Sequence, residues 1–307
     1  MKAVEIHGLT KSFGSTRALD GLDLALPAGQ VLGFLGPNGS GKTTTIRILL
    51  GLLRADGGEV RVLGGDPWRQ AVELHRRLVY VPGEVSLWPN LTGGQIIDLL
   101  GRASGGIEDA RRADMIEWFD LDTAKKARAY SKGNRQKVAL VAALASRADL
   151  LILDEPTSGL DPIMEMRFTE AIRHVRDEGR SVLLSSHIFS EVEKLADQVC
   201  IIRAGRTVEQ GTLSEMRHLT GTHVTATVDG DASAVAALAG VYDFREDNGR
   251  ISFTVDSGRL GTALTALGPL NPRNLTANPP SLEELFLSHY GEDNKQGRTA
   301  TRAEAAV

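Results

Sequence analysis

The stretch GPNGSGKT, residues 36–43, decides how this chain is read. It fits the pattern G-x-x-x-x-G-K-[ST]. The apolar run VLGFL (31–35) enters it, and the helix-like TTIRILLGLL (44–53) leaves it. Strand, loop and helix in that order are the setting in which this pattern holds phosphate. The glycines let backbone N–H groups turn inward, and the helix N-terminus adds its dipole. Gly36, Pro37, Asn38, Gly39, Ser40, Gly41 and Thr44 are the expected cradle. Lys42 is expected to reach the β- and γ-phosphates of a bound nucleotide, and Thr43 to ligate Mg²⁺ through its hydroxyl. A glycine-rich turn without function is set aside, because the match is full and both flanking elements are present.

A second stretch, LLILDE (150–155), supplies the complement. Its apolar residues read as a buried strand that puts Asp154 at its carboxyl end, where α/β sheets bind ligands. Asp154 suits a Mg²⁺ shell, and Glu155 suits orienting and polarising an attacking water. Two carboxylates at a strand end can also be a solvated turn, but phosphoryl transfer needs both parts and both occur in order. The strand RSVLL then leads into SSHI, which places His187 on the same sheet edge as Asp154 and Glu155. A lone histidine is usually structural. Three strand ends converging on one edge favour a γ-phosphate contact instead. Asp161 before Pro162 reads as an N-cap followed by a first helical residue.

The whole chain agrees with a soluble globular protein. Its 307 residues suffice for one large domain and a small one; 42% are hydrophobic and 24% charged. A net charge of −4 gives no global pull toward nucleic acid. Cys200 is the single cysteine, so no disulfide framework exists, and it reads as a buried strand residue in QVCIIR. The opening MKAVEIHGLTKSFG is broken by charge and glycine before a signal-peptide core forms. The longest apolar run, 138–145, is far short of the roughly 18 residues a membrane helix needs.

The fold class expected is α/β: a P-loop NTPase core with an N-terminal antiparallel β-subdomain and a helical insertion. A small C-terminal α/β domain follows. Strands are expected to about residue 35, then the phosphate-loop helix, then a strand in RRLVYVPGE. From about 85 to 147 the period is helical, as in GQIIDLL and ARRADMIEWFDL. Short apolar runs at DLLILD and RSVLLSS suit buried parallel strands on either side of a helix at 162–178. DQVCIIRAGRTVEQG reads as a hairpin turning at Ala204-Gly205. Residues 1–220 are thus the expected main domain and 221–290 the accessory one. In the latter, HVTATV, RISFTV and RNLTA read as strands, and ASAVAALAG, GRLGTALTAL and SLEELFLSHY as helices. The polar tail 291–307 is expected to be disordered.

Taken together, residues 1–220 resemble the ATP-binding subunit of ABC transporters. The resemblance rests on the phosphate loop at 36–43, Asp154-Glu155, SGLD at 158–161 and His187, in that order. Phe13, in KSFG, matches the aromatic that stacks on adenine; a core aromatic is the alternative. The family's signature LSGGQ corresponds to YSKGNRQ (130–136), where Ser131 and Gly133 keep their places while Tyr130, Lys132 and Asn134 depart. The family carries Gln where this chain has Glu84, in VYVPGE. Both departures resemble a subgroup of exporters with separate membrane chains, including those of the daunorubicin and tetronasin type.

The resemblance implies a head-to-tail dimer with a second copy, ATP lying between one phosphate loop and the other signature. Ser131, Lys132, Gly133 and Asn134 would then act in trans, with Asp161 across the same interface. Lys132 would either add a cation or point aside. Thr43, Asp154 and Glu84 would hold Mg²⁺, although Glu84 adds negative charge beside the phosphates. The helical insertion would receive a multipass membrane permease, placing the chain on the cytoplasmic face of the membrane with no nucleic-acid partner. An importer subunit, or a soluble ATPase acting on nucleic acid, is the alternative.

Overall fold

The structure is a computed structural model that describes residues 1–218, 221–279 and 281–283, without the side chains of residues 217, 218 and 257. The chain divides into two units, Met1–Gly211 and Thr212–Val307.

The first unit opens with β1 (Lys2–Phe13), β2 (Thr16–Pro27), β3 (Val31–Leu35), α1 (Lys42–Leu49) and β4 (Gly57–Val62). There follow α2 (Ala71–Leu74), β5 (Leu78–Val81), α3 (Gly93–Ala103), α4 (Asp109–Trp118) and α5 (Lys132–Ala145). The unit ends with β6 (Leu150–Asp154), α6 (Pro162–Asp177), β7 (Ser181–Ser186), α7 (Phe189–Leu195), β8 (Gln198–Arg203) and β9 (Arg206–Thr212).

Two sheets result. β2, β1 and β4 form an antiparallel sheet in that order. Its alternating residues Val4, Ile6, Leu22 and Leu24 are buried in one core with Phe34, Ile46, Ile152 and Cys200. The larger sheet has the order β5-β6-β7-β3-β8-β9, and its first five strands run parallel. Every residue of β3 and β7 is buried, the burial expected of parallel strands covered on both faces. Parallel order brings the carboxyl ends of β3, β5, β6 and β7 to one edge. The segments that leave there carry the phosphate-loop sequence, Glu84, Asp154-Glu155 and His187. β9 returns through Ala204-Gly205, whose φ values of 47° and 75° suit a two-residue hairpin turn.

Gly33, in the middle of β3, explains how closely helix and sheet approach. A Cβ there would lie 2.0 Å from Cγ1 of Val192. Only glycine lets α7 sit directly on the strand that carries the phosphate loop. The helical insertion is capped in its own way. Thr92 accepts the N–H of Gln95, and the Gln95 side chain returns to Thr92, a reciprocal box that starts α3. α5 buries every residue from Val138 to Ala145. Trp118 and Arg167 join the insertion to the core: the indole N–H donates to the Arg167 carbonyl (3.0 Å), and the guanidinium to the Trp118 carbonyl (2.6 Å).

The second unit contains α8 (Leu213–His218), β10 (Thr222–Thr227), α9 (Ser233–Ala236), β11 (Val241–Asp247), β12 (Arg250–Val255), α10 (Leu260–Leu267) and β13 (Arg273–Asn278). Its antiparallel sheet has the order β11-β12-β10-β13. Val224, Ile251, Phe253 and Leu267 form its core. Two features differ from the sequence expectation. The helix in ASAVAALAG is confined to Ser233–Ala236, because the chain turns at Gly240 (φ 85°), where a Cβ would meet Asp256 and Arg259 at 2.6 Å. β11 was not expected at all. It is an edge strand whose exposed Asp243, Arg245, Glu246 and Asp247 obscure the apolar alternation, a composition typical of protected edges. The expected helix SLEELFLSHY lies outside the described residues from position 284 onward, as does the tail 291–307.

Candidate functional site

The loop after β3 is built by glycines with different duties. A Cβ on Gly36 would lie 2.4 Å from the Ile202 carbonyl, so that position is fixed by packing. Gly41, the N-cap of α1, has φ 113°, a backbone closed to other residues. Gly39 has φ 80°, and no atom lies within 4 Å of a Cβ placed there. α1 has no side-chain cap among the described residues. Its first N–H groups, which have no intrahelical partner, point out of the helix end. Lys42 curls back over this loop, donating to the carbonyls of Gly36 (2.5 Å) and Pro37 (3.2 Å). Burial pushes its ammonium below the ordinary lysine pKa, against the pull of Glu155 and Asp154. The Ser40 hydroxyl is buried with no hydrogen-bond partner among the described residues. A positively charged lysine, unpaired N–H groups and a buried hydroxyl form a seat for an anion.

The carboxylates face that seat from β6. Asp154 is the register partner of Ser185 on β7, whose hydroxyl donates to it. Burial raises the Asp154 pKa; the Ser185 bond opposes this, and the neighbouring Glu155 charge adds to it. Glu155 leaves the strand with φ 47°, a left-handed backbone that is uncommon for a non-glycine residue and typical of functional positions. Its N–H donates to the Ser185 carbonyl at 3.0 Å. Its Oε1 lies 2.9 Å from Nδ1 of His187. Gly83 lets the turn after β5 approach, since a Cβ there would stand 3.2 Å from the Asp154 carbonyl.

One cleft of about 590 Å³ gathers Pro37, Asn38, Gly39, Gly41, Lys42, Thr43 and Thr44 with Glu84, Asp154, Glu155 and Lys132. Gly36 and Ser40 are buried within the loop, and His187 joins through Glu155. Phe13, Ser131, Gly133, Asn134 and Asp161 do not line it. Phe13 is 50% exposed, with the Lys11 ammonium 5.6 Å from its ring centre, so it is no core aromatic. Ala18, Arg47, Tyr80 and Ser185 were not read from the sequence, and Ser158 was read only as part of SGLD. Ala18, Arg47, Tyr80 and Ser158 line the cleft, and Ser185 could have been found by counting the β6–β7 register from Asp154. Burial and the Asp154 charge push the Tyr80 hydroxyl up to about 12, so it stays a neutral donor.

The segment 130–136 begins α5 with its own logic. Ser131 caps the helix, accepting the Asn134 N–H at 3.3 Å. Lys132 donates to the Ser158 hydroxyl at 2.9 Å, and the Gln136 side chain donates to the Pro156 carbonyl at 3.0 Å. A Cβ on Gly133 would lie 2.6 Å from the Gly159 carbonyl. The helix start therefore grips the segment 156–159, directly after Glu155. Asp161 caps α6, accepting the N–H groups of Ile163 and Met164 at 3.0 Å each.

No group of three or more His, Cys, Asp or Glu side chains forms a metal cage among the described residues. Thr43, Asp154 and Glu84 do share the cleft. Such a sparse set suits Mg²⁺, which keeps waters and phosphate oxygens around one or two carboxylates. No helix of the described residues is long and apolar enough to cross a membrane.

The family described as "ABC transporter" matches residues 19–158. The daunorubicin/doxorubicin resistance ATP-binding protein DrrA of Streptomyces peucetius is 36% identical, the alignment covering 99% of this chain and 97% of that protein. Among solved structures, the ATP-binding subunit of an ABC transporter superposes with TM-score 0.66 at 27% identity, covering 71% of this chain and 92% of its own. The ATP-binding cassette MJ0796, solved as a dimer with ADP and Pi, matches in fold with TM-score 0.63 at 21% identity, covering 68% and 98%.

Proposed function

The chain belongs to the ABC transporter family, and from that premise we propose that it is the motor of an exporter of drugs or other hydrophobic compounds. It is an ATPase with the ATP-binding cassette fold. In this reading residues 1–220 are the ATP-binding domain, 85–147 its helical subdomain and 221–290 an accessory domain.

The observation that carries the mechanism is the Glu155–His187 contact at 2.9 Å, beside a cleft lined by Lys42. ATP sits on the loop 36–44 with Lys42 leaving its carbonyl partners for the phosphates, while Phe13 stacks on adenine. Glu155 orients the attacking water and takes its proton. His187 meets the γ-phosphate from beside Glu155. Thr43, Asp154 and Glu84 would hold Mg²⁺, which would supply positive charge beside the phosphate oxygens. The chain acts as a head-to-tail dimer with a second copy. Ser131 supports that arrangement, because its oxygen accepts the cap bond and its O–H proton stays free to donate to a phosphate. Lys132, Gly133, Asn134 and Asp161 lie across the same interface in this reading.

Coupling to transport runs through a multipass membrane chain, which brings this subunit to the cytoplasmic face of the membrane. A groove of about 310 Å³ lined by Leu50, Leu52, Val85, Leu87, Trp88 and Leu100 supports this docking. Leu52 and Trp88 are 65% and 51% exposed there. Drug export is favoured by the resistance function named for the Streptomyces relative.

The deciding experiment is purification from detergent-solubilised membranes of the native host, followed by vesicle transport. A multipass chain should co-purify, and ATP should drive anthracycline accumulation in inside-out vesicles holding both chains. Recovery with ribosomes or DNA, and without a membrane chain, would overturn the reading.

A further inference from the structure

Glu155 and His187 touch, yet their side chains are 33% and 51% exposed. An exposed pair of this kind contributes too little to fix the geometry that proton transfer requires. Something beneath them must hold the two segments in register. Glu191, on α7, is placed to do so. Its Oε1 accepts from the Thr157 hydroxyl at 2.9 Å, and its Oε2 faces the Ser186 hydroxyl at 3.2 Å. Thr157 and Ser186 are both buried. Thr157 stands two residues after Glu155, and Ser186 immediately precedes His187. Ser186 also accepts the Ile188 N–H at 2.9 Å, so the turn carrying His187 is pinned on both sides. One carboxylate thus spans the two strand-end segments that carry the reacting pair.

We propose that Glu191 is a positioning residue for ATP hydrolysis: it bridges Thr157 and Ser186 and so sets the distance between Glu155 and His187. This rests on the reading of Glu155 and His187 as the hydrolytic pair. α7 is a rigid base for the bridge, because Val192, the next residue, packs into the space left by Gly33. The helix is thereby seated on the strand that feeds the phosphate loop. Glu191 does not line the cleft that holds Lys42 and Thr43. Its loss should therefore misplace the base without weakening the phosphate seat. Glutamine can keep both hydroxyl contacts, accepting from one and donating to the other, whereas alanine keeps neither.

The test uses the full-length chain. Glu191→Ala should lower kcat about tenfold to a hundredfold, with KM for ATP changed less than threefold. Glu191→Gln should restore most of the turnover. Thr157→Val, which removes one contact and leaves Glu191 in place, should give part of the loss and covers the case in which Glu191→Ala does not fold. A second readout needs no nucleotide: the imidazole resonance of His187, assigned by its absence in His187→Gln. It should move in Glu191→Ala and in Thr157→Val toward its position in Glu155→Gln, and stay in place in Glu191→Gln. An unmoved resonance and a kcat within twofold of the parent in both Glu191→Ala and Thr157→Val would overturn the proposal. If Glu155→Gln turned over normally, the hydrolytic reading itself would fall. The resonance would still decide whether Glu191 holds the pair.

Discussion

The backbone of Gly133 presses against the carbonyl of Gly159 so closely that a single methyl on Gly133 would come within 2.6 Å of the oxygen. A glycine in the first turn of a helix costs up to about 1 kcal/mol relative to alanine. Here that cost permits contact between the start of α5 and the segment that follows Glu155. Gly133→Ala should therefore destabilise the protein, by about 1–3 kcal/mol, where helix propensity alone would stabilise it. Urea unfolding reads the sign directly. A more stable variant would mean that the contact is loose.

Lys132 and Ser131 separate stability from function. The Lys132–Ser158 bond is partly exposed, so Lys132→Met should change stability by less than about 1 kcal/mol. Ser131→Ala removes the helix cap and should cost about 1 kcal/mol. Its ATPase rate should fall much further than that loss explains if the hydroxyl also donates to the partner's phosphate. Turnover equal to the parent chain would return Ser131 to a plain helix cap.

Glu155→Gln should lower kcat about 10²–10⁴-fold while ATP binding persists, because the amide keeps the size of the side chain but takes no proton. Trapped nucleotide, measured on the purified variant, distinguishes this from lost binding.

Phe13→Ala should weaken ATP binding by roughly 1–3 kcal/mol, and Phe13→Tyr should leave the apparent Kd near the parent value. Because the ring is half exposed, neither change should alter the melting temperature much. Titration with a fluorescent adenine nucleotide checks both.

Cys200 offers a probe of opening. Burial raises its thiol to about 12, so at pH 8 the reactive thiolate is scarce and out of reach. Alkylation should be negligible in the native chain and rapid in denaturant. Because the folded pKa is raised, the stability linked to this thiol is intact below about pH 9 and is lost as pH climbs toward 12. Fast labelling at pH 8 without denaturant would show that β8 opens readily.

The parts of the fold written in local patterns were legible early. GPNGSGKT between an apolar run and a helix, and LLILD and SVLLSS as buried runs, specified a parallel sheet and its functional edge. Asp161-Pro162 specified a helix start. What escaped depends on pairs distant in sequence. Ser185 matters because β6 and β7 lie in register, Tyr80 and Arg47 because of where their elements pack, and Gly133 because of Gly159. The sequence of 130–136 looks like a poor helix start until that partner is known. β11 escaped for the opposite reason, since its charged face is the kind that protects an edge and carries little apolar signal.

Trp118 and Arg167 each donate to the other's backbone carbonyl, which makes α4 and α6 resist sliding in either direction. Mechanically this is a rivet. α6 spans about 24 Å at 1.5 Å per residue, and the rivet sits in its second turn, in the half nearer Asp161. A push on α4 would therefore bear on the half of α6 nearer Asp161.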